Sequence, residues 1–149
     1  MHMDVENEIV SLYERLINGW NRQNAAAMAA AIATDGLVIG YDGSQMLGRE
    51  EVARQLEQIF ADHQTATYVT KVRSVKTWGA DTGLLHAVVG LVPPGQSEIM
   101  SDRNAIQTVV ATQRNMEWSV MLFQTTPAQF HGRPELSAAL SAELAALLR

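Results

Sequence analysis

The hydrophobic spacing of this chain turns from mainly helical to that of long strands near residue 66, and that change limits the folds open to it. Ahead of it, apolar residues recur at intervals of three and four. Val5, Ile9, Leu12, Tyr13, Leu16, Ile17 and Trp20 form one stripe, the pattern of an amphipathic helix. Residues 21–24 break the stripe, and Asn24 is placed to cap a second helix over 25–33, almost all alanine, with Met28 and Ile32 as its larger apolar side chains. A short strand over 36–41, the Asp42-Gly43 turn and a brief return ending at Gly48 read as a hairpin. A third helix starts near Arg49. Glu50 and Glu51 suit its dipole, and Val52, Leu56, Ile59 and Phe60 form its buried stripe.

Beyond residue 66 the period becomes that of strands, expected over 66–78, 82–92, 102–113 and 117–126. Gly79-Ala80-Asp81, Pro93-Pro94-Gly95 and Asn115-Met116 mark the turns between them. Pro134 opens a last helix with Leu136, Leu140, Leu144 and Leu147 on one side. Helices segregated from an antiparallel sheet predict an α+β fold. At 149 residues one domain is expected, with its core over about 5–140. The segment 84–92 is apolar on both faces. Such a strand needs cover on both sides, and the simplest arrangement is helices on one side and a second copy of the chain on the other.

The formal net charge of −5 argues against a nucleic-acid surface, which needs a concentrated positive patch. The one basic cluster is Lys71, Arg73 and Lys76. Strand alternation places Lys71 and Arg73 on one face and Lys76 on the other, as ordinary surface charges. With no cysteine there is no thiol catalysis, thiolate metal site or disulfide. No apolar run reaches the roughly 18 residues of a membrane span. No signal peptide is visible, and Met1-His2-Met3 reads as a cloning scar before a start at Met3, so a cytoplasmic protein is expected.

Several strings then carry a family resemblance: Trp20-Asn21-Arg22, Thr34-Asp35-Gly36, Tyr41-Asp42-Gly43-Ser44-Gln45-Met46, Gly48-Arg49-Glu50, Ile59-Phe60-Ala61-Asp62-His63, Val72-Arg73-Ser74-Val75, Pro93-Pro94-Gly95-Gln96-Ser97, and the run from Phe123 through Pro127-Ala128-Gln129-Phe130-His131-Gly132-Arg133-Pro134-Glu135. They resemble the nuclear transport factor 2-like superfamily, within it the SnoaL-like proteins, and most closely the SgcJ/EcaC group. The resemblance implies a cone, a curved antiparallel sheet wrapped around N-terminal helices with a mostly apolar pocket inside, and a dimer through the outer sheet face. It also implies a place in polyketide or enediyne-type natural product biosynthesis. The pocket would bind a largely apolar intermediate and catalyse isomerisation or cyclisation, or serve a non-catalytic carrier or accessory protein.

Members of that group are often labelled oxidoreductases, but no Gly-x-Gly-x-x-Gly follows a strand, and no cofactor is expected. Ketosteroid-isomerase-like relatives need a carboxylate base, a helix-one tyrosine and a second buried acid. Aligned on Gly48-Arg49-Glu50, those positions fall at Gly40, Leu16 and near Thr108, so that mechanism lacks its groups.

The residues expected to meet a ligand are Tyr41, Asn104 and Thr108 as polar contacts, with Trp20, Val38, Phe60, Val89, Met121 and Phe123 as wall. Met46, Met100 and Met116 suit either an adaptable wall or plain packing. Asp42 reads as a turn former rather than a base. His86, Gln107 and Gln124 face pocket or interface according to strand parity. His131 and Arg133 would hold the C-terminal segment or meet a ligand. His2, His63, His86 and His131 lack any metal-ligand spacing, so no metal is expected.

Overall fold

A computed structural model describes residues 4–149. The segment read as a cloning scar, His2 included, lies outside the described residues. Helix α1 (Val5–Asn21) is capped by Asp4, whose carboxylate accepts from the Asn7 backbone N–H, and its predicted stripe is buried from Ile9 to Ile17. Asn24 caps α2 (Ala25–Ala30) by accepting from the Ala27 N–H at 3.0 Å. Gly19 lets the two helices meet, because a Cβ there would lie 2.6 Å from the Met28 backbone nitrogen.

Helix α2 ends three residues before its predicted limit, and the strand after it starts four residues early, as β1 (Ile32–Ile39). Alanine favours a helix through residue 33, but sheet pairing prevails. The Val120 N–H donates to the Ala31 carbonyl, and Ile32 lies opposite Val120. Strand β2 (Gln45–Leu47) returns from the Asp42 turn, and α3 (Arg49–Asp62) buries Val52 and Leu56.

Strands β3 (Thr67–Trp78), β4 (Thr82–Val92), β5 (Ala105–Arg114) and β6 (Glu117–Pro127) form an antiparallel meander. Strand β1 joins its β6 edge in parallel, giving one six-stranded sheet in the order β2-β1-β6-β5-β4-β3. Helix α4 (Pro134–Ala146) follows. The fold class is the predicted one.

The curved sheet has two faces. Leu85, Ala87, Val109, Ala111, Val120 and Phe123 point inward against α1, α2 and α3. Val88 and Ile106 point outward, where Leu140 and Leu144 of α4 cover them. The deep end of the interior is filled: a Cβ at Gly83 would collide with the Ile9 side chain.

Two bulges alter parity. One between Val72 and Ser74 sets Lys76 opposite Leu84 and Lys71 opposite Val88, so both lysines share the outer face, contrary to simple alternation. Lys71 and Arg73 are surface charges, as expected, and both meet Glu143 of α4. A second bulge between Val110 and Ala111 skips Met121 out of register.

Candidate functional site

The other end of the interior is not filled. A cavity of about 320 Å3 opens between the α1–α2 turn, α3, the β1–β2 hairpin and the ends of β3, β4 and β6. Its volume sits at the small end of ligand sites, which run from ~300 Å3 upward. Met28, Val38, Met46, Leu56, Leu91 and Phe123 supply apolar wall. The exposed lining residues, Asp42, Ser44 and Arg103, mark the mouth.

Trp20 closes one side as the α1 stripe predicts. Its Nε1–H donates to the Ala66 carbonyl at 2.8 Å, so its donor is used and its ring serves as wall. Phe60 meets that ring edge-on at 5.4 Å. It therefore supports Trp20 and does not line the cavity.

The floor is polar and uncharged. The Tyr13 hydroxyl donates to Gln107 Oε1 at 2.6 Å, and Gln107 Nε2 donates to Thr125 Oγ1 at 3.3 Å. The Tyr68 hydroxyl stands beside both Thr125 and Gln107, and Tyr68 and Thr125 line the cavity. Gln107 is fully buried, and Tyr13 holds its oxygen. Its nitrogen donates to Thr125 Oγ1, and the Tyr68 and Thr125 hydroxyls bond to each other, which leaves the pair one hydrogen to donate into the cavity. Burial raises the Tyr13 and Tyr68 pKa values, so both phenols stay protonated. The cavity floor thus offers a hydroxyl donor to an acceptor such as a carbonyl oxygen.

Asp42 is the one carboxylate among the described lining residues. It accepts from the Ser44 backbone N–H at 2.9 Å, and these Ser44 contacts hold its carboxyl below the usual range. It forms the turn, as expected. Gly40 lines the cavity with no side chain where a base was sought. No cluster of three or more His, Asp or Glu that could hold a metal occurs among the described residues.

Of the predicted site residues, the structure brings together Trp20, Val38, Tyr41 and Phe123. The others are elsewhere. Val89 points inward but is packed completely, short of the cavity. Asn104 lies on the outer face under α4, where its Nδ2 donates to Ser141 Oγ at 2.8 Å. Thr108 stands in one outward row with His86 and Gln124, its register partners. Met121, displaced by the bulge, accepts from an Arg114 guanidinium nitrogen at 3.7 Å. His131 and Arg133 are exposed in the connection to α4, away from the cavity.

Alternation along β5 carries the signal for Gln107, the polar member of the inward row Ala105, Val109 and Ala111. Thr125 follows from Phe123 by the same rule. Tyr13 lies on α1 one turn before Leu16, and its hydroxyl is bonded to the amide of Gln107. Tyr68 and Arg103 carry no local signal, because only the folded chain brings them to the cavity.

A family profile for the SnoaL-like domain matches residues 9–124. Among solved structures, a domain of unknown function with a cystatin-like fold from Nostoc punctiforme superposes with a TM-score of 0.79 at 20% identity, over 93% of this chain and 86% of that one. A ketosteroid isomerase-like protein from Erwinia carotovora atroseptica gives 0.66 at 14% identity, over 85% and 98%. A putative calcium/calmodulin-dependent protein kinase type II association domain from Thiobacillus denitrificans gives 0.70 at 16%, over 80% and 94%. These likenesses show the fold. No curated protein matches the sequence.

Proposed function

The chain belongs to the SnoaL-like domain family, and from that premise we propose that its cone binds a largely apolar small molecule and presents a hydroxyl donor to an oxygen on it. The observation that carries this reading is the uncharged floor. Tyr68 and Thr125 form a bonded hydroxyl pair, held by a buried amide, inside otherwise apolar walls. A packed core would not leave that space open, nor place a hydroxyl donor at its edge.

The SgcJ/EcaC resemblance extends the proposal to an intermediate of polyketide or enediyne-type biosynthesis handled in the cytoplasm. The hydroxyl pair would polarise a ketone during isomerisation or cyclisation. A second reading, a carrier or accessory binding protein, is favoured by one observation: the sole lining carboxylate among the described residues, Asp42, is exposed and engaged in its turn. A proton abstraction would need its base from the ligand or from water.

The outer face supports a homodimer. Leu84, Val110, Leu122 and Leu37 run side by side across four strands, continued by Leu47, which is 66% exposed. A Leu84→Lys variant is expected to sediment as a monomer while keeping its far-ultraviolet spectrum.

The decisive experiment is a structure of protein isolated from its own host, read for a molecule in the cavity. An apolar molecule with an oxygen at Tyr68 is expected. A cavity closed over by its own side chains would overturn the reading. Tyr68→Phe then separates the two roles, because an enzyme loses turnover while retaining ligand and a carrier changes only in affinity.

A further inference from the structure

We propose that the ligand of this cavity is an apolar carboxylic acid whose carboxylate is held at the mouth by Arg103; this rests on the ligand-binding reading above. The guanidinium is carried to the mouth by two backbone bonds. The Met100 N–H donates to the carbonyl of Leu91, itself a wall residue, and the Arg103 N–H donates to the carbonyl of Met100, both at 2.9 Å. The loop after β4 is thereby folded back so that Arg103 lines the opening.

Arg103 has no anionic partner there. Lys71 and Arg73 are paired with Glu143, Arg114 with Asp35, Arg54 with Glu51, and the Arg49 Nε–H donates to the Ile32 carbonyl; Arg15, Arg22, Lys76 and Arg133 also lack a carboxylate partner among the described residues, but none of them lines the cavity. No carboxylate or carbonyl lies within bonding distance of the Arg103 guanidinium among the described residues. Asp42, also on the rim, is committed to Ser44. Every other lining residue is uncharged, so Arg103 is the one cation that a bound anion can meet among the described lining residues.

The chain as a whole carries −5, so an anionic ligand depends on this local cation against the general repulsion. One guanidinium fits one carboxylate in a two-pronged bond with matched charge, whereas a phosphate dianion calls for more donors than the mouth provides. The size follows from the volume. Taking the ~30 Å3 of a liquid water as the space of one non-hydrogen atom, about 320 Å3 holds roughly ten of them. The acid's chain lies along Leu91, Met46 and Val38, with its far end at Tyr68.

Octanoate and octanamide are matched probes of that size, differing in charge and not in shape. Titration calorimetry of the full chain with each, at low and high salt, tests the proposal. Octanoate is expected to bind about tenfold tighter than octanamide at low salt, with the ratio falling as salt rises. Arg103→Gln, an exposed substitution that leaves the fold intact, should bring the ratio close to one, and Arg103→Lys should retain part of it. Equal binding of the two probes to the unaltered protein would overturn the carboxylate assignment and leave the ligand-binding reading standing. A preference for octanoate that survives Arg103→Gln would overturn the role of Arg103. Binding of neither probe would overturn the carboxylate assignment alone, because neither brings an oxygen to Tyr68 and the ligand-binding reading is decided by the structure of protein from its own host.

Discussion

Two amides are buried three residues apart, on opposite faces of the sheet. Gln107 of β5 points inward and uses both ends: its oxygen accepts from Tyr13 and its nitrogen donates to Thr125. Asn104, just before β5, points outward under α4, with its nitrogen on Ser141 and its Oδ1 without a partner among the described residues. The inner face is complete within one chain, with each polar group placed to orient the next. The outer face is covered over Val88 and Gly90 by Leu140 and Leu144 and left open over Leu84, Val110 and Leu122. Evenly hydrophobic strands thus give two different faces, an interior that shapes a cavity and an exterior with an apolar strip left open beside α4.

If the inner face carries the fold, the largest loss should come from its packed end. Leu85→Ala removes a fully buried side chain beside Val109 on the inner face and should cost about 2–5 kcal/mol. Urea unfolding measures it. A cost below that of removing an outer-face leucine would break the comparison.

Next comes the amide pair. Gln107→Leu keeps the volume but strips Tyr13 of its acceptor, at roughly 1–3 kcal/mol. Tyr13→Phe combined with Gln107→Leu removes both partners and should recover much of that loss, so a double-mutant cycle reads the coupling. Outside, Asn104→Leu loses the Ser141 bond but also removes an unpaired acceptor. Its cost should stay within about 1 kcal/mol. Equal costs for the two substitutions would mean that Asn104 is as fully bonded as Gln107.

The same contrast explains what the sequence disclosed. Helix stripes and turn residues marked nearly every element, because a period of 3.6 or 2 is written locally. The α2–β1 boundary failed where pairing of Ile32 with Val120 overrode the alanine preference. The parity of Lys76 and Met121 failed at bulges, which shift every later side chain by one position and leave no mark in the hydrophobic pattern. Trp20, Val38 and Tyr41 were legible because they flank the stripe and the turn that define the mouth, and Phe123 stands beside Val38 on β6. Asn104 and Thr108 were assigned inward by polarity alone, whereas alternation from Val109 places Gln107 inside and both of them outside. Tyr68 and Arg103 reach the cavity only through the curvature of the sheet and the folded-back loop.

The smallest effect separates the two faces by pH. On the outside, hydrogen bonds from Arg73, then from Lys71, lower the Glu143 carboxyl from 4.5 to about 2. Below its ordinary value the unfolded chain takes up a proton that the folded chain refuses. The stability from this ion pair is therefore present above pH 4.5 and is lost as pH falls from there to about 2. The group is exposed, so the contribution is small. Inside, burial raises the Tyr13 phenol above its ordinary 10.0, so the unfolded chain releases a proton first and stability is lost as pH rises past that value. Thermal melts across pH should show Glu143→Gln flattening only the acid limb and Tyr13→Phe only the alkaline limb. A variant that altered both limbs would show that α4 and the interior open together, and that the two faces are one cooperative unit.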